Sequence, residues 1–103
     1  MSFHLTGTLH TPEISLSLPE RRLVLRGTCF PENSIELFQP LRNYFEEHLS
    51  LLLEGELEVH VELTYINSSS QRELYRLLYD FLAKGGRLKL IVYQGEEEEM
   101  EDL

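Results

Sequence analysis

Basic residues are scarce in this sequence. Nine Lys and Arg stand against eighteen Asp and Glu, and only Arg21 and Arg22 are adjacent. The formal net charge of −9 argues against a general DNA or RNA binder, because phosphates repel such a chain. Cysteine is nearly absent. Cys29 stands alone, so no internal disulfide can form. The start, "MSFHLTGTLHTPE", lacks the basic-then-apolar order of a signal peptide, and a reducing cytoplasm is the expected setting. No apolar run is long enough to cross a membrane. There is no Gly-rich phosphate loop, no Cys-x-x-Cys and no His pair at metal spacing. The expectation is therefore no catalytic group, no metal, no cofactor, and neither a nucleic-acid nor a membrane partner.

The chain that remains has 103 residues and is 42% apolar, which suits one packed core. The tail "GEEEEMEDL" holds six of the acidic residues and no basic one, leaving −3 for the rest. Residues 1–94 are expected to form one domain and residues 95–103 a solvated acidic tail.

Residues 13–18, "EISLSL", alternate apolar and polar side chains at the period of a half-buried strand. "PER" reads as a turn and "RLVLRGTCF" as a second strand, together a hairpin. In "PENSIELFQPLRNYFEEHLSLLLEG", Asn33 is a good N-cap, and Glu36 three residues on can complete a capping box. Ile35, Phe38, Leu41, Phe45, Leu49 and Leu52 mark one apolar helix face. Pro40 should kink this helix or divide off its first segment, and Gly55 should stop it.

"ELEVHVELTYI" is the clearest strand. Leu57, Val59, Val61, Leu63 and Tyr65 are expected on one side, and Glu58, His60, Glu62 and Thr64 on a wet or partner-facing side. A second helix follows over residues 69–84, with Leu74, Leu77, Leu78, Phe81 and Leu82 as its apolar stripe and Gly85–Gly86 as its end. "RLKLIVYQ" is dense enough in apolar residues for a strand covered on both sides. The order is β-β-α-β-α-β. It predicts an α/β fold, a small mixed sheet with parallel strand–helix–strand units and helices packed on it.

Candidate chemistry is thin. Glu58, His60 and Glu62 share a strand face, which suits a solvated or interface surface better than an acid/base group. Cys29 lies between a strand and a helix and reads as a buried structural thiol. The informative stretch is "LTYINSSSQRE", where a strand hands over to a helix through Asn67, Ser68, Ser69 and Ser70. One cap needs one such residue. Asn67 or Ser68 can serve, and Ser70 with Glu73 fits a capping box. Four in succession also suit a regulated hydroxyl, because a helix N-terminus tolerates a phosphate. Capping and switching both remain open on these residues.

"TPEISLSLPERRLVLRGTCFPENSIELFQPLRNYFEEHL", followed by "LTYINSSS", resembles the SiaC family of bacterial regulatory phosphoproteins, which in fold resemble the STAS anti-sigma-factor antagonists. The family pattern has a TPEI-like start, a G-x-S-Y-P-E-N-S segment and a strand ending in Y-x-N-T-S-S. The likeness runs from about Thr11 to the acidic tail. It implies a non-catalytic module in c-di-GMP signalling. A cognate kinase phosphorylates it just after the family's asparagine, and a phosphatase removes the phosphate. The unphosphorylated form binds and activates an output protein such as a diguanylate cyclase. The family's threonine falls on Ser68, with Ser69 and Ser70 as alternatives. Partner contacts are implied for Tyr65, Asn67, Ser68 and Ser69, and for Pro31, Glu32, Asn33 and Ser34. Cys29 and Phe30 replace a serine and a tyrosine of the pattern. A STAS-like anti-sigma antagonist or plain binding domain, its serines only capping, is the other reading.

Overall fold

Strand alternation and helical periodicity place the elements of a computed structural model, which describes residues 2–93. They are β1 (Ser2–Leu5), β2 (Glu13–Ser17), β3 (Arg22–Cys29), α1 (Ser34–Glu47), α2 (Leu49–Leu52), β4 (Glu56–Ile66), α3 (Ser68–Ala83) and β5 (Arg87–Val92). The five strands form one sheet in the order β1-β2-β3-β4-β5. β1, β2 and β3 pair antiparallel, while β3–β4 and β4–β5 are parallel. The mixed α/β architecture is the expected one, with one strand more than the sequence pattern supplied. Four residues are too few for β1 to show a period. Its register is set by pairing with β2, Leu5 opposite Ile14.

The two long helices, α1 and α3, cover one face of the sheet. Phe45 of α1 meets Phe81 of α3 edge-on at 5.6 Å, and Arg42 pairs with Asp80 at 2.9 Å. Beneath them lie Ile14, Leu16, Leu23, Leu25, Leu57 and Val59, all fully buried. The other face is wet and laced with ion pairs, Arg26–Glu62 at 2.9 Å and Arg22–Glu58 at 3.6 Å.

Four local expectations are corrected. No segment is divided off at Pro40: α1 runs on through it, because one missing N–H costs one bond while Phe38, Leu41 and Phe45 anchor both flanks. The break falls at His48, whose backbone N–H and ring both turn back to the Tyr44 carbonyl. Two residues leave the expected apolar helix faces, Ile35 of α1 at 61% exposure and Leu82 of α3 at 42%. β5 is not covered on both sides. It is the sheet edge, and its helix-side residues Leu90 and Val92 are 45% and 50% exposed, since α3 reaches only over Leu88.

The fourth correction concerns Tyr65. Leu63 pairs with Gly27, but Tyr65 pairs with Thr28, so Thr64 is an extra residue in β4. This bulge reverses the alternation beyond it. Ile66 then packs on the core, and Tyr65 turns out to solvent at 55% exposure. Gly27, at φ +116, allows the bend, and Thr64 Oγ1 donates to its carbonyl at 3.2 Å.

Candidate functional site

β3 and β4 run parallel and end together, the Asn67 N–H donating to the Cys29 carbonyl at 2.9 Å. A helix starts just beyond each strand. Two helix N-termini, with their free N–H groups and positive dipole ends, therefore converge at one end of the sheet. Asn33 caps α1 by accepting from Glu36 N–H at 3.0 Å, and Asn67 caps α3 by accepting from Ser70 N–H at 2.9 Å.

The four polar residues at the handover now have separate tasks. Asn67 is the cap. Ser70 is fully buried, and Ser69 is half-buried. Both meet Ser34, the first residue of α1: Ser34 Oγ lies 2.6 Å from Ser69 Oγ and 3.0 Å from Ser70 Oγ. Segments 31–34 and 67–70, far apart in sequence, are thus latched by hydroxyls. Burial pushes the nearby Cys29 thiol up, and a hydrogen bond with Ser70 partly offsets this. Ser68 alone is exposed, and its hydroxyl has no hydrogen-bond partner among the described residues. It borders a shallow depression of about 390 Å³ lined by Gln71, Arg72, Tyr75, Arg76 and Tyr79.

An aromatic rim stands at the same end. Phe30 meets His10 at 4.6 Å and Tyr65 at 5.8 Å, edge-on in both cases. The Phe30 N–H donates to the His10 carbonyl, which folds the β1–β2 loop over this end. Of the residues expected to contact a partner, Tyr65, Ser68, Glu32 and Asn33 are exposed, while Pro31, Asn67 and Ser69 are half-buried. Ser34 is corrected: it is 7% exposed and turned onto Ser69 and Ser70, so it holds the site together instead of facing outward.

Sequence reasoning missed Phe30, His10, Arg72, Tyr75 and Tyr79. Tyr75 and Tyr79 carried a signal, two aromatics four residues apart on the polar side of α3. Phe30 carried only its place at the tyrosine of the family pattern, and His10 carried none, since only the loop's return brings it to Phe30. His60 donates to Glu58 at 3.0 Å and lies 3.1 Å from the Tyr93 hydroxyl, far across the sheet from Cys29. No group of three His, Cys, Asp or Glu among the described residues could hold a metal. No helix among them is long and apolar enough to cross a membrane.

The class is a two-layer α/β domain in which two helix starts converge at one end of the sheet and Ser68 is left exposed beside them. The chain belongs to the family described as SiaC family regulatory phosphoprotein, whose profile matches residues 5–102. It is 36% identical over 89 residues to an uncharacterized protein of Pseudomonas aeruginosa strain UCBPP-PA14, covering 82% of this chain and 68% of that protein. It is similar to the crystal structure of apo-SiaC from Pseudomonas aeruginosa, with a TM-score of 0.75, 28% identity, and 98% of this chain and 85% of that one covered. It is also similar to a chain in the structure of the diguanylate cyclase SiaD with its activator SiaC, from the same organism. There the TM-score is 0.67 and the identity 32%, with 85% and 74% of the two chains covered.

Proposed function

We propose that this protein is a non-catalytic signalling module of the cytoplasm, switched by reversible phosphorylation of Ser68. A cognate Ser/Thr kinase adds the phosphate, a phosphatase removes it, and the unphosphorylated form binds and activates an output protein, a diguanylate cyclase. Membership of a regulatory phosphoprotein family and the likeness to a chain from a cyclase–activator complex support this reading. The observation that carries it is the division of labour at the α3 start. Ser69 and Ser70 are engaged in the latch, and Ser68 alone offers a free hydroxyl to a kinase.

The physics of the switch is local. The first turn of α3 holds no carboxylate, so a phosphate at its N-terminus gains from the helix dipole without a neighbouring repulsion. The same phosphate brings nearly two negative charges and a firmly held water shell into a surface that a partner must cover. Burying it unpaired costs several kcal/mol, enough to abolish a contact of micromolar strength. The carboxylate–imidazole pair Glu58–His60 is tied to Arg22 and Tyr93 on the sheet face and lacks a nucleophile, which fits a module without turnover.

The test is phosphosite mapping by mass spectrometry after incubation with the kinase, joined to pull-downs of the cyclase. Phosphate is expected on Ser68. Ser68→Ala should resist the kinase and keep the cyclase, and Ser68→Asp should lose it while still folded. Phosphate confined to Ser69 or Ser70, or equal cyclase binding by all three forms, would reject the switch and reduce Ser68 to part of a helix start.

A further inference from the structure

β5 is an edge of the sheet, and it lacks the devices that blunt one. It carries no proline, no glycine and no bulge. Alternation sorts its backbone groups. The Tyr93 N–H donates to the Val61 carbonyl, so the odd-numbered residues of β5 bond to β4. The N–H and C=O groups of Leu88, Leu90 and Val92 therefore point outward along the edge, and among the described residues no strand pairs with them. The side chains of the same three residues lie on the helix side, level with Leu57, Val59 and Val61 of β4. Leu88 packs on the core, while Leu90 and Val92 stay 45% and 50% exposed. Open peptide groups and an apolar row thus coincide.

β5 is complementary to itself when reversed. In an antiparallel pair about a two-fold axis at Leu90, that residue faces the second copy's Leu90, and Leu88 faces the second copy's Val92. These become the hydrogen-bonded pairs of the ladder, so all three outward residues of each strand are satisfied. On the wet side, Lys89 meets Ile91, and Arg87 meets Tyr93, where a guanidinium can lie over the ring. No cation meets its like. A shift of two residues one way opposes Lys89 to Lys89, and the other way carries Leu88 past the end of β5. A shift of one residue sets the apolar row on the wet face.

We propose that β5 is a self-association edge, where two copies of the chain pair antiparallel and join their sheets into one of ten strands. Charge favours the same register. Residues 84–89 hold Lys84, Arg87 and Lys89 and no carboxylate, while residues 95–103 hold six carboxylates and no cation. The acidic segment that follows Tyr93 then starts beside the second copy's Arg87 and leads toward its Lys84, and symmetry makes this contact twice. Two chains of net charge −9 thereby set an acidic segment on a basic one, which offsets their general repulsion. Six residues a side make a small interface, so the dimer is weak and forms as concentration rises. Nothing in it depends on the phosphorylation of Ser68.

The experiment is sedimentation equilibrium of the full chain up to about 500 µM, where a monomer–dimer equilibrium is expected for so small an interface. Leu90→Pro removes one outward N–H and spares the ladder to β4, so it should stay folded by circular dichroism and be monomeric throughout. Lys84→Glu with Arg87→Glu should weaken the dimer at least tenfold at low salt. The register is read by disulfide trapping. Paired Cys residues at position 90 would have Cα atoms about 5.5 Å apart, within disulfide reach, whereas those at position 92 would be about 13 Å apart. Leu90→Cys should therefore oxidise to a covalent dimer at least tenfold faster than Val92→Cys, and the fully buried Cys29 adds no background. A chain that is monomeric at every concentration overturns the proposal. So does a dimer that persists in folded Leu90→Pro, or Val92→Cys crosslinking as fast as Leu90→Cys. Should Leu90→Pro fail to fold, the two cysteine variants decide alone. An unchanged dimer in the charge-reversed form overturns the part given to residues 95–103.

Discussion

Arg21 shows how much one side chain can organise. It sits at φ +55 in the β2–β3 turn, the left-handed region that costs a non-glycine residue. Its guanidinium donates to the carbonyls of Leu51, Leu52, Gly55 and Glu56, closing the end of α2 and the entry to β4. Arg21→Ala should destabilise by about 2 kcal/mol in urea unfolding, and Arg21→Lys should recover less than half, since an ammonium cannot span four carbonyls. Glu58 offers a pH test. The hydrogen bond from His60, with Arg22 beside it, holds its carboxyl below the ordinary value of 4.5. A depressed carboxylate stabilises the fold above its unfolded pKa, and that contribution is lost as pH falls through the folded one. Glu58→Gln should therefore lower stability slightly at neutral pH, leave it nearly unchanged well below pH 4.5, and so flatten the loss between them, as read by urea unfolding followed by circular dichroism across that range.

For elements, the question is which residues hold a helix start and which are free for other use. Asn67→Ala should cost about 1 kcal/mol, the usual worth of an N-cap, while Ser68→Ala should cost well under half of that. Ser34→Ala and Ser70→Ala should be non-additive in a double-mutant cycle, because they remove two ends of one hydrogen bond. Thermal unfolding of these four single variants and the Ser34/Ser70 double variant checks both expectations. A full cap's worth of loss on Ser68→Ala would show that Ser68 is committed to structure after all. The C-terminal end of α3 follows the usual chemistry. Gly85 takes φ +96, the Gly86 N–H returns to the Phe81 carbonyl, and Gly86 lies against the Phe81 ring with no room for a side chain.

In the whole molecule, two helices cannot cover five strands. They lie over the middle of the sheet and leave β5 half bare, which creates the apolar margin beside α3. The site lies at the carboxyl end of the two central parallel strands, where loops and helix starts meet in open α/β sheets. A charge added there does not touch the core. Ser68→Asp should therefore keep the melting temperature of the unmodified protein or raise it slightly, since an anion at N1 favours the dipole. A fall of more than about 5 °C, some 1 kcal/mol for a domain of this size, would mean that the residue supports the fold. The six acidic residues of the tail lie beyond the described residues.

Period and caps in the sequence determined β2 to β5, both long helices, the cap Asn33, the choice of Asn67 or Ser68 for the second cap, and the wet face with Glu58, His60 and Glu62. These follow from forces acting within a few residues, where side-chain direction is dictated by backbone repeat. The likeness in "PENS" and "INSSS" pointed to Ser68 as well. Only the tertiary structure decided which hydroxyl was free. Ser69 and Ser70 are claimed by Ser34, some 35 positions away, and no local pattern records that pairing. The same holds for Tyr65, turned outward by a bulge whose extra residue is defined only against β3, and for β5, whose apolar run reads as interior while its place in the sheet makes it an edge. Burial belongs to the neighbours a residue acquires, and those are set when distant segments pack.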